Sequence, residues 1–272
     1  MTIALAVSGA RGRMGSRILT LASQDPNFRI TAALETEGHP DLGKDIGELL
    51  GLGRKGVLLS ATANSALRHS DLLIEFTTPQ ATVAHLKECV SAGKPIVIGT
   101  TGLSEKEMGE LQAASKKIPV LLSPNMSVGV NLLFELVQEA ARKLGPSYEV
   151  EIVETHHHGK KDSPSGTAKR LAELIAEAHK LSLEKVAIYG RKGMADSRPP
   201  SQIGIHSIRA GDVVGDHTVI FATEGERLEF THRASSRDTF ARGALRAARF
   251  LVGKKPGLYS LRDLLKSSPN ES

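Results

Sequence analysis

Along the first half of the chain, short apolar runs alternate with stretches that carry a helical period. Residues 3–7 read as a buried strand, 12–23 as a helix entered through a glycine turn, and 30–35 as a second strand. Residues 71–76 (DLLIEF) form a further strand, and 81–92 a helix that stops at Gly93 with Pro95 just beyond. The next strand is 95–99. A helix over 104–117 opens on a serine cap with Glu107 three residues on, and 118–122 is again a strand. Short apolar strands separated by helices imply a doubly wound parallel sheet, because such a sheet is covered on both faces.

After Asn125 the pattern changes. Residues 130–143 read as a long helix ending at Gly145-Pro146, 149–155 as a strand whose acidic residues alternate outward, and 167–179 as a helix. From 203 to 234 the period is two, with glycine turns at Gly211, Gly215 and Gly225, as in a mixed or antiparallel sheet. A helix over 239–252 can return to the first domain, and the tail after Ser267 is polar and expected to fray. The expected class is α/β: an N-terminal Rossmann-type doubly wound parallel sheet and a C-terminal α+β domain on a mixed or antiparallel sheet. The expected boundaries are 1–127 plus 239–272 for the first domain and 128–238 for the second.

Composition narrows the partners. With 272 residues, 40% hydrophobic and 24% charged, the chain is that of a globular protein with a sizeable core. Its apolar runs are too short for a membrane span, and Met1 leads straight into the first strand, so neither a membrane nor a targeting segment is expected. The lone cysteine, Cys89, reads as a buried thiol on a helix and suits a reducing cytoplasm. A formal charge of +5 favours anionic partners. Aromatic content is only 4% and no zinc-finger spacing is present, so a phosphorylated cofactor and a carboxylated substrate explain the charge better than nucleic acid.

The glycine turn is Gly9-Ala10-Arg11-Gly12-Arg13-Met14-Gly15, with Arg11 where the common dinucleotide fingerprint has its second glycine. A strand precedes it, a helix follows, and Glu35 ends the second strand about 20 residues on, where an acidic side chain binds the adenosine ribose. Glu35 favours NADH, and Thr36 after it offers no charge to a 2′-phosphate, although Arg11 and Arg13 could reach one. Use of both NADH and NADPH, with NADH favoured, is the expectation. Gly99-Thr100-Thr101-Gly102 and Ser123-Pro124-Asn125-Met126 each follow a strand, at the edge where open α/β sheets bind ligands, so beside the first motif they read as further cofactor contacts; without it they would read as two polar loops with a helix cap.

Residues 154–168 hold three histidines, two lysines and a Ser165-Gly166-Thr167 turn that starts a helix. Such a turn offers free backbone N–H groups and hydroxyls to a carboxylate, with Lys160 and a histidine adding charge-assisted bonds. Histidine and lysine are also suited to proton transfer near neutral pH. No metal is expected, since successive histidines on a strand point to opposite faces. Taken singly, the serine turn reads as an ordinary helix cap and the lysines as solvated; their joint occurrence is what points to a site.

The run E-x-H-H-x-x-K-x-D-x-P-S-G-T-A, met in full from Glu154 to Ala168, resembles the signature of the 4-hydroxy-tetrahydrodipicolinate reductase (dihydrodipicolinate reductase) family. The resemblance extends to G-R-M-G at 12–15, G-T-T-G at 99–102, N-x-S-V-G-V-N at 125–131 and H-R-A-S-S-R at 232–237. It implies that His156 is the catalytic proton donor or acceptor, that Lys160 is a proton donor, and that His157, Ser165, Gly166 and Thr167 bind substrate. Gly9 to Met14, Glu35, Thr36, Gly99 to Thr101 and Ser123 to Met126 would line the dinucleotide. It further implies a homotetramer that reduces a cyclic dicarboxylate imine with loss of water, in the diaminopimelate route to lysine. The rival readings are a non-catalytic dinucleotide sensor and a two-domain dehydrogenase acting on a semialdehyde or sugar.

Overall fold

The computed structural model describes residues 2–194 and 197–267. The polar tail beyond Ser267 lies outside them. In chain order the elements begin β1 (Ile3–Ser8), α1 (Arg13–Ala22), β2 (Phe28–Leu34), α2 (Ile46–Leu49), β3 (Leu59–Ser60), α3 (Ala63–Arg68) and β4 (Leu72–Glu75). Then follow α4 (Pro79–Ala92), β5 (Ile96–Ile98), α5 (Glu105–Ser115), β6 (Pro119–Leu122), α6 (Val128–Leu144) and β7 (Glu149–His156). The last stretch holds α7 (Gly166–Ala178), α8 (Leu183–Val186), β8 (Ala187–Tyr189), β9 (Ile203–Arg209), β10 (Gly215–Thr223), β11 (Glu226–Ala234), α9 (Asp238–Leu251), β12 (Gly257–Tyr259) and α10 (Leu261–Lys266). The chain divides into two compact units, one of Met1–Val128 with Arg237–Ser272 and one of Gly129–Ser236.

The first unit is built on a parallel sheet in the order β12-β6-β5-β4-β1-β2-β3. Alternate residues of each strand feed two cores. Leu5, Val7 and Ile74 join Ile18 and Leu19 of α1 and Ala244 and Ala248 of α9, while Ala6 and Leu73 join Leu86 of α4 and Leu111 of α5. All six residues of β1 are buried, so the strand reads as an unbroken apolar run. Each fully buried Leu or Ile contributes about 1.5–3 kcal/mol of transfer free energy. Cys89 faces the second core, and burial pushes its thiol up, so it stays protonated. The expected serine cap forms in full: the Ser104 hydroxyl accepts from Glu107 N–H while the Glu107 carboxylate accepts from Ser104 N–H. The short elements β3, α2, α3, β12 and α10 have no counterpart in the sequence pattern.

The second unit holds a mixed sheet in the order β11-β10-β7-β9-β8, with β10 antiparallel to both its neighbours and β7, β9 and β8 parallel. Helices α6 and α7 cover one face, where Val137 and Leu171 meet Ile152, Ile205, Val219 and Phe221. Strict alternation along β7 buries Val150, Ile152, Glu154 and His156. The expectation that its acidic residues all point outward is therefore corrected. Glu149 and Glu151 do, but Glu154 has the opposite parity and is fully buried. On the outer face Glu151 gathers Arg191, Arg198 and His206. Burial would raise its pKa, but those hydrogen bonds outweigh it and hold the carboxyl down to about 2. Among the described residues, no helix is long and apolar enough to cross a membrane.

Candidate active site

At the carboxyl ends of β1 and β2 the glycine turn walls a cavity of about 650 Å³ together with Glu35 and Thr36. Two glycines are there for space. Gly9 has φ of +75° and a Cβ on it would lie 2.3 Å from the Phe76 carbonyl; a Cβ on Gly15 would lie 2.1 Å from the Gly9 carbonyl. The helix therefore starts hard against the sheet. Its cap is Gly12, so no side chain closes the first turn of α1 and its N–H groups remain for an anion. A dinucleotide pyrophosphate fits that cradle.

The predicted cofactor residues divide between this cavity and its supports. Gly9, Arg11, Gly12, Glu35 and Thr36 line it. The Gly9 and Ala10 N–H groups both donate to the Leu34 carbonyl at 3.0 Å, so these two residues shape the turn. Glu35 is held in place by the Arg11 and Thr36 N–H groups, each 3.0 Å away. The Arg11 side chain turns to Asp41 (3.1 Å) and to the Leu49 carbonyl, and Lys44 pairs with Asp41 as well (2.8 Å). Arg13 is exposed and Met14 half-buried at the start of α1.

Further along the sheet edge, Thr100 is buried, and its hydroxyl accepts from Thr82 and from Thr77 N–H; Thr101 is exposed and Gly99 donates to the Glu75 carbonyl. Ser123 donates to the Asn125 carbonyl, Asn125 braces Ser127 N–H, Met126 joins the core and Pro124 is exposed. These two loops lie outside the lining of the cavity.

The same cavity contains a group the sequence reading overlooked. Glu75, fully buried at the end of β4, accepts from Thr77 Oγ1 and from His85 Nδ1 at 2.7 Å; that nitrogen also lies 3.2 Å from Ser8 Oγ. His85 lines the cavity. Burial would lower its pKa, but the Glu75 carboxylate more than offsets this and raises it.

In the second unit the register of the sheet assembles the other cluster. Glu154 lies opposite His217 of β10 and beside Ser207 of β9; two residues on, His156 pairs with Arg209. His156 donates from Nδ1 to Glu154 Oε2 at 2.5 Å, since a carboxylate can only accept, and Nε2 is left on the side of Gly215. Arg209 grips Glu154 with two bonds of 2.9 Å. Burial alone would push Glu154 up, yet Arg209 and then His156 outweigh it and hold the carboxyl down to about 2. Burial lowers the pKa of His156, Lys160 and Arg209 add to the lowering, and Glu154 resists it; the net shift is downward.

Ser165 caps α7, its hydroxyl accepting from Ala168 N–H at 3.2 Å and sharing a hydrogen bond with His217 Nε2 at 3.0 Å. Gly166 and Thr167 open the helix, Gly166 exposed and Thr167 half-buried. Lys160 Nζ pairs with both oxygens of the exposed Asp162, at 2.8 and 2.7 Å. His157 is half-buried in the turn that follows β7, and His158 bonds the Gly211 carbonyl. Only His156 of the three histidines is on the strand, and among the described residues no group of three or more His, Cys, Asp or Glu could hold a metal.

In the second unit the residues missed by sequence reasoning are Glu154 as a partner, Arg209 and His217. Their one signal was a polar residue at inward parity, as His217 shows beside Val219 and Phe221 in β10.

Comparison with known proteins gives the family. Residues 3–126 match the family described as dihydrodipicolinate reductase, N-terminus, and residues 129–265 that described as dihydrodipicolinate reductase, C-terminus. The chain is 51% identical to the 4-hydroxy-tetrahydrodipicolinate reductase of Magnetococcus marinus, over 97% of this chain and 99% of the relative. It is 51% identical to that of Nitrosomonas europaea, over 96% and 97% of the two chains. Among solved structures, the dipicolinate-bound dihydrodipicolinate reductase from Paenisporosarcina sp. TG-14 shares the fold with a TM-score of 0.78 at 24% identity, covering 97% of this chain and all of the other.

Proposed function

The chain belongs to the dihydrodipicolinate reductase family and is an oxidoreductase that reduces 4-hydroxy-tetrahydrodipicolinate to tetrahydrodipicolinate with loss of water; on that premise we propose which residues perform the work. A reduced nicotinamide, when bound, supplies the hydride. The N–H groups at the start of α1 hold its pyrophosphate and Glu35 its adenosine ribose. NADH is the preferred form, because Glu35 lines this end of the cavity and Arg11, the cation that lines it, is engaged by Asp41.

In the second unit, the start of α7 at Gly166-Thr167, with its Ser165 cap, takes one carboxylate of the ring. His157 and the Lys160 ammonium bind as well, with Lys160 passing from Asp162 to the ring. Negative charge that develops on reduction is met by Lys160 and quenched by its proton, while Nε2 of His156, bare when Nδ1 donates to Glu154, serves as the proton acceptor when water is lost. The observation that carries this reading is the tie of His156 Nδ1 to a buried carboxylate that also holds Ser165, which sets an acid–base group beside an anion turn. A homotetramer, assembled through the outer face of the mixed sheet where Ile208 is 46% exposed, and a cytoplasmic setting that suits the buried Cys89 thiol complete the proposal.

The test is a coupled assay in which the substrate is generated from pyruvate and aspartate semialdehyde and loss of reduced nicotinamide is followed. Turnover with NADH and, less efficiently, with NADPH is expected; none with either would overturn the reading. A sensor or a semialdehyde or sugar dehydrogenase would have no use for the full 154–168 signature, and the named relatives support the reductase over both.

A further inference from the structure

Glu154 is tied to more than the His156 imidazole. Its Oε2 accepts from His156, its Oε1 accepts from the Ser165 amide at 3.2 Å, and both oxygens accept from Arg209. Arg209 continues outward. Besides Glu154, Nη1 reaches the Ile208 carbonyl at 2.7 Å and Nη2 the Asp162 carbonyl at 2.6 Å, so both terminal nitrogens are doubly engaged. Asp162 stands two residues after Lys160, and Ser165 is the cap of the helix that opens at Gly166-Thr167. One ion pair, fully buried on its carboxylate side, thus touches the end of β7, the loop that carries the ammonium and the anion turn.

We propose that Arg209 and Glu154 are positioning residues that lock His156, the Lys160 loop and the Ser165–Thr167 turn into one rigid constellation for the dicarboxylate ring. The inference rests on the reductase reading above and deepens it. A planar fork is required, because four directed donors leave Arg209 toward three acceptor groups and an ammonium cannot reproduce them. Glu154 is required as a carboxylate, since only an acceptor with two free oxygens takes the imidazole, the amide and the fork together. Burial of Glu154 makes the pair obligate on its side: removing Arg209, itself one-fifth exposed, strands a fully buried carboxylate.

The charged and titratable groups around His156 are Glu154 on its own strand, Arg209 on β9, His217 on β10 and Lys160 in the following loop. Glu154 raises the imidazole and Arg209 lowers it, so their removal moves it in opposite directions.

The experiment uses the full-length variants Arg209→Lys, Arg209→Gln and Glu154→Gln, with steady-state kinetics, NADH affinity by fluorescence and NMR titration of His156. Arg209→Lys keeps the charge and loses the fork. Its kcat is expected to fall about tenfold to a hundredfold, the cost of sub-ångström misplacement. KM for the ring substrate should rise, while NADH affinity and melting temperature stay near those of the parent. The His156 titration should move to lower pH in Glu154→Gln and to higher pH in Arg209→Gln, a pair of opposed shifts that a mere packing defect does not produce.

Parental kcat and KM in folded Arg209→Lys would overturn the proposal, as would His156 shifts that are absent or share one sign in the other two. If Arg209→Gln fails to fold, Arg209→Lys and Glu154→Gln decide the matter by the same criteria. Because the His156 titration is read without turnover, its outcome is separate from that of the assay on the parent enzyme.

Discussion

His217 stands edge-on to His156, with ring centroids 5.1 Å apart and ring planes at 75°. Two imidazoles this close cannot both carry charge in a buried setting, and burial biases both toward the neutral form, His217 the more strongly. Burial, with His156 adding to it, pushes His217 from its ordinary 6.5 down to about 3. Between those values the unfolded chain binds a proton that the folded chain does not, so stability is lost as pH falls from 6.5 toward 3. Glu154 and Glu151, each held to about 2 against 4.5 when unfolded, add a second loss that begins near 4.5 and runs down through their folded values. Melting temperature measured from neutral pH downward should therefore decline in two stages. His217→Gln should shrink the first stage to the part that the lowered His156 and His232 contribute, and leave the second; an unchanged first stage would show that the protons are taken up elsewhere.

The chemical roles predict a sharp kinetic signature. Lys160→Ala or His156→Ala should lower kcat by about two decades or more, the usual contribution of a positioned acid or base. Lys160 is one-fifth exposed and its Asp162 partner mostly exposed, a kind of pair worth little to stability, so the melting temperature of Lys160→Ala should hardly move. Near-parental kcat in a folded double variant would remove both residues from the mechanism.

Cofactor choice turns on the residue after the ribose-binding acid. Thr36 is exposed at the rim of the cavity, and its N–H already holds Glu35 in place. Thr36→Arg keeps that backbone bond and adds a guanidinium. A charge-assisted bond to a 2′-phosphate is worth about 1.5 kcal/mol at the low end, or about tenfold in affinity. The ratio of kcat/KM for NADPH over NADH should rise by that factor. No change would mean that the 2′ position is directed elsewhere, and a parent that prefers NADPH by more than about a hundredfold, close to 3 kcal/mol, would reverse the assignment of Glu35.

What could be read from the chain follows from where each signal resides. Strands β1, β4, β5 and β6 are buried on both faces, so their apolar runs are local and visible. Ser104 with Glu107, and Ser165 before α7, are caps whose partners lie within three residues. By contrast, β3, β8 and β12 are two or three residues long and exist only through pairing with a neighbour. Arg209 and His217 come to Glu154 across 55 and 63 positions through strand register, which no local window contains. Glu154 itself was visible as part of a signature, but its inward direction depends on the phase of β7, set by Val150 and Ile152.

The Glu75–His85 pair beneath the dinucleotide cavity makes the last prediction. Glu75 is wholly buried and His85 is less than one-fifth exposed, and the carboxylate keeps the imidazole charged above its ordinary range. His85→Leu leaves that carboxylate without its cation, a loss of about 3–5 kcal/mol for a buried pair. The sign of the pH dependence is fixed: a raised imidazole gives its full stabilisation below the unfolded value of 6.5, and that stabilisation fades as pH climbs through the folded value. The gap in melting temperature between parent and His85→Leu should then be widest below 6.5 and narrow in alkaline buffer. Adding Glu75→Gln to His85→Leu should recover part of the loss, because the stranded charge is gone while Thr77 Oγ1 keeps an acceptor. A gap that widens with rising pH, or a double variant no better than the single, would mean that His85 is held neutral and acts by packing alone.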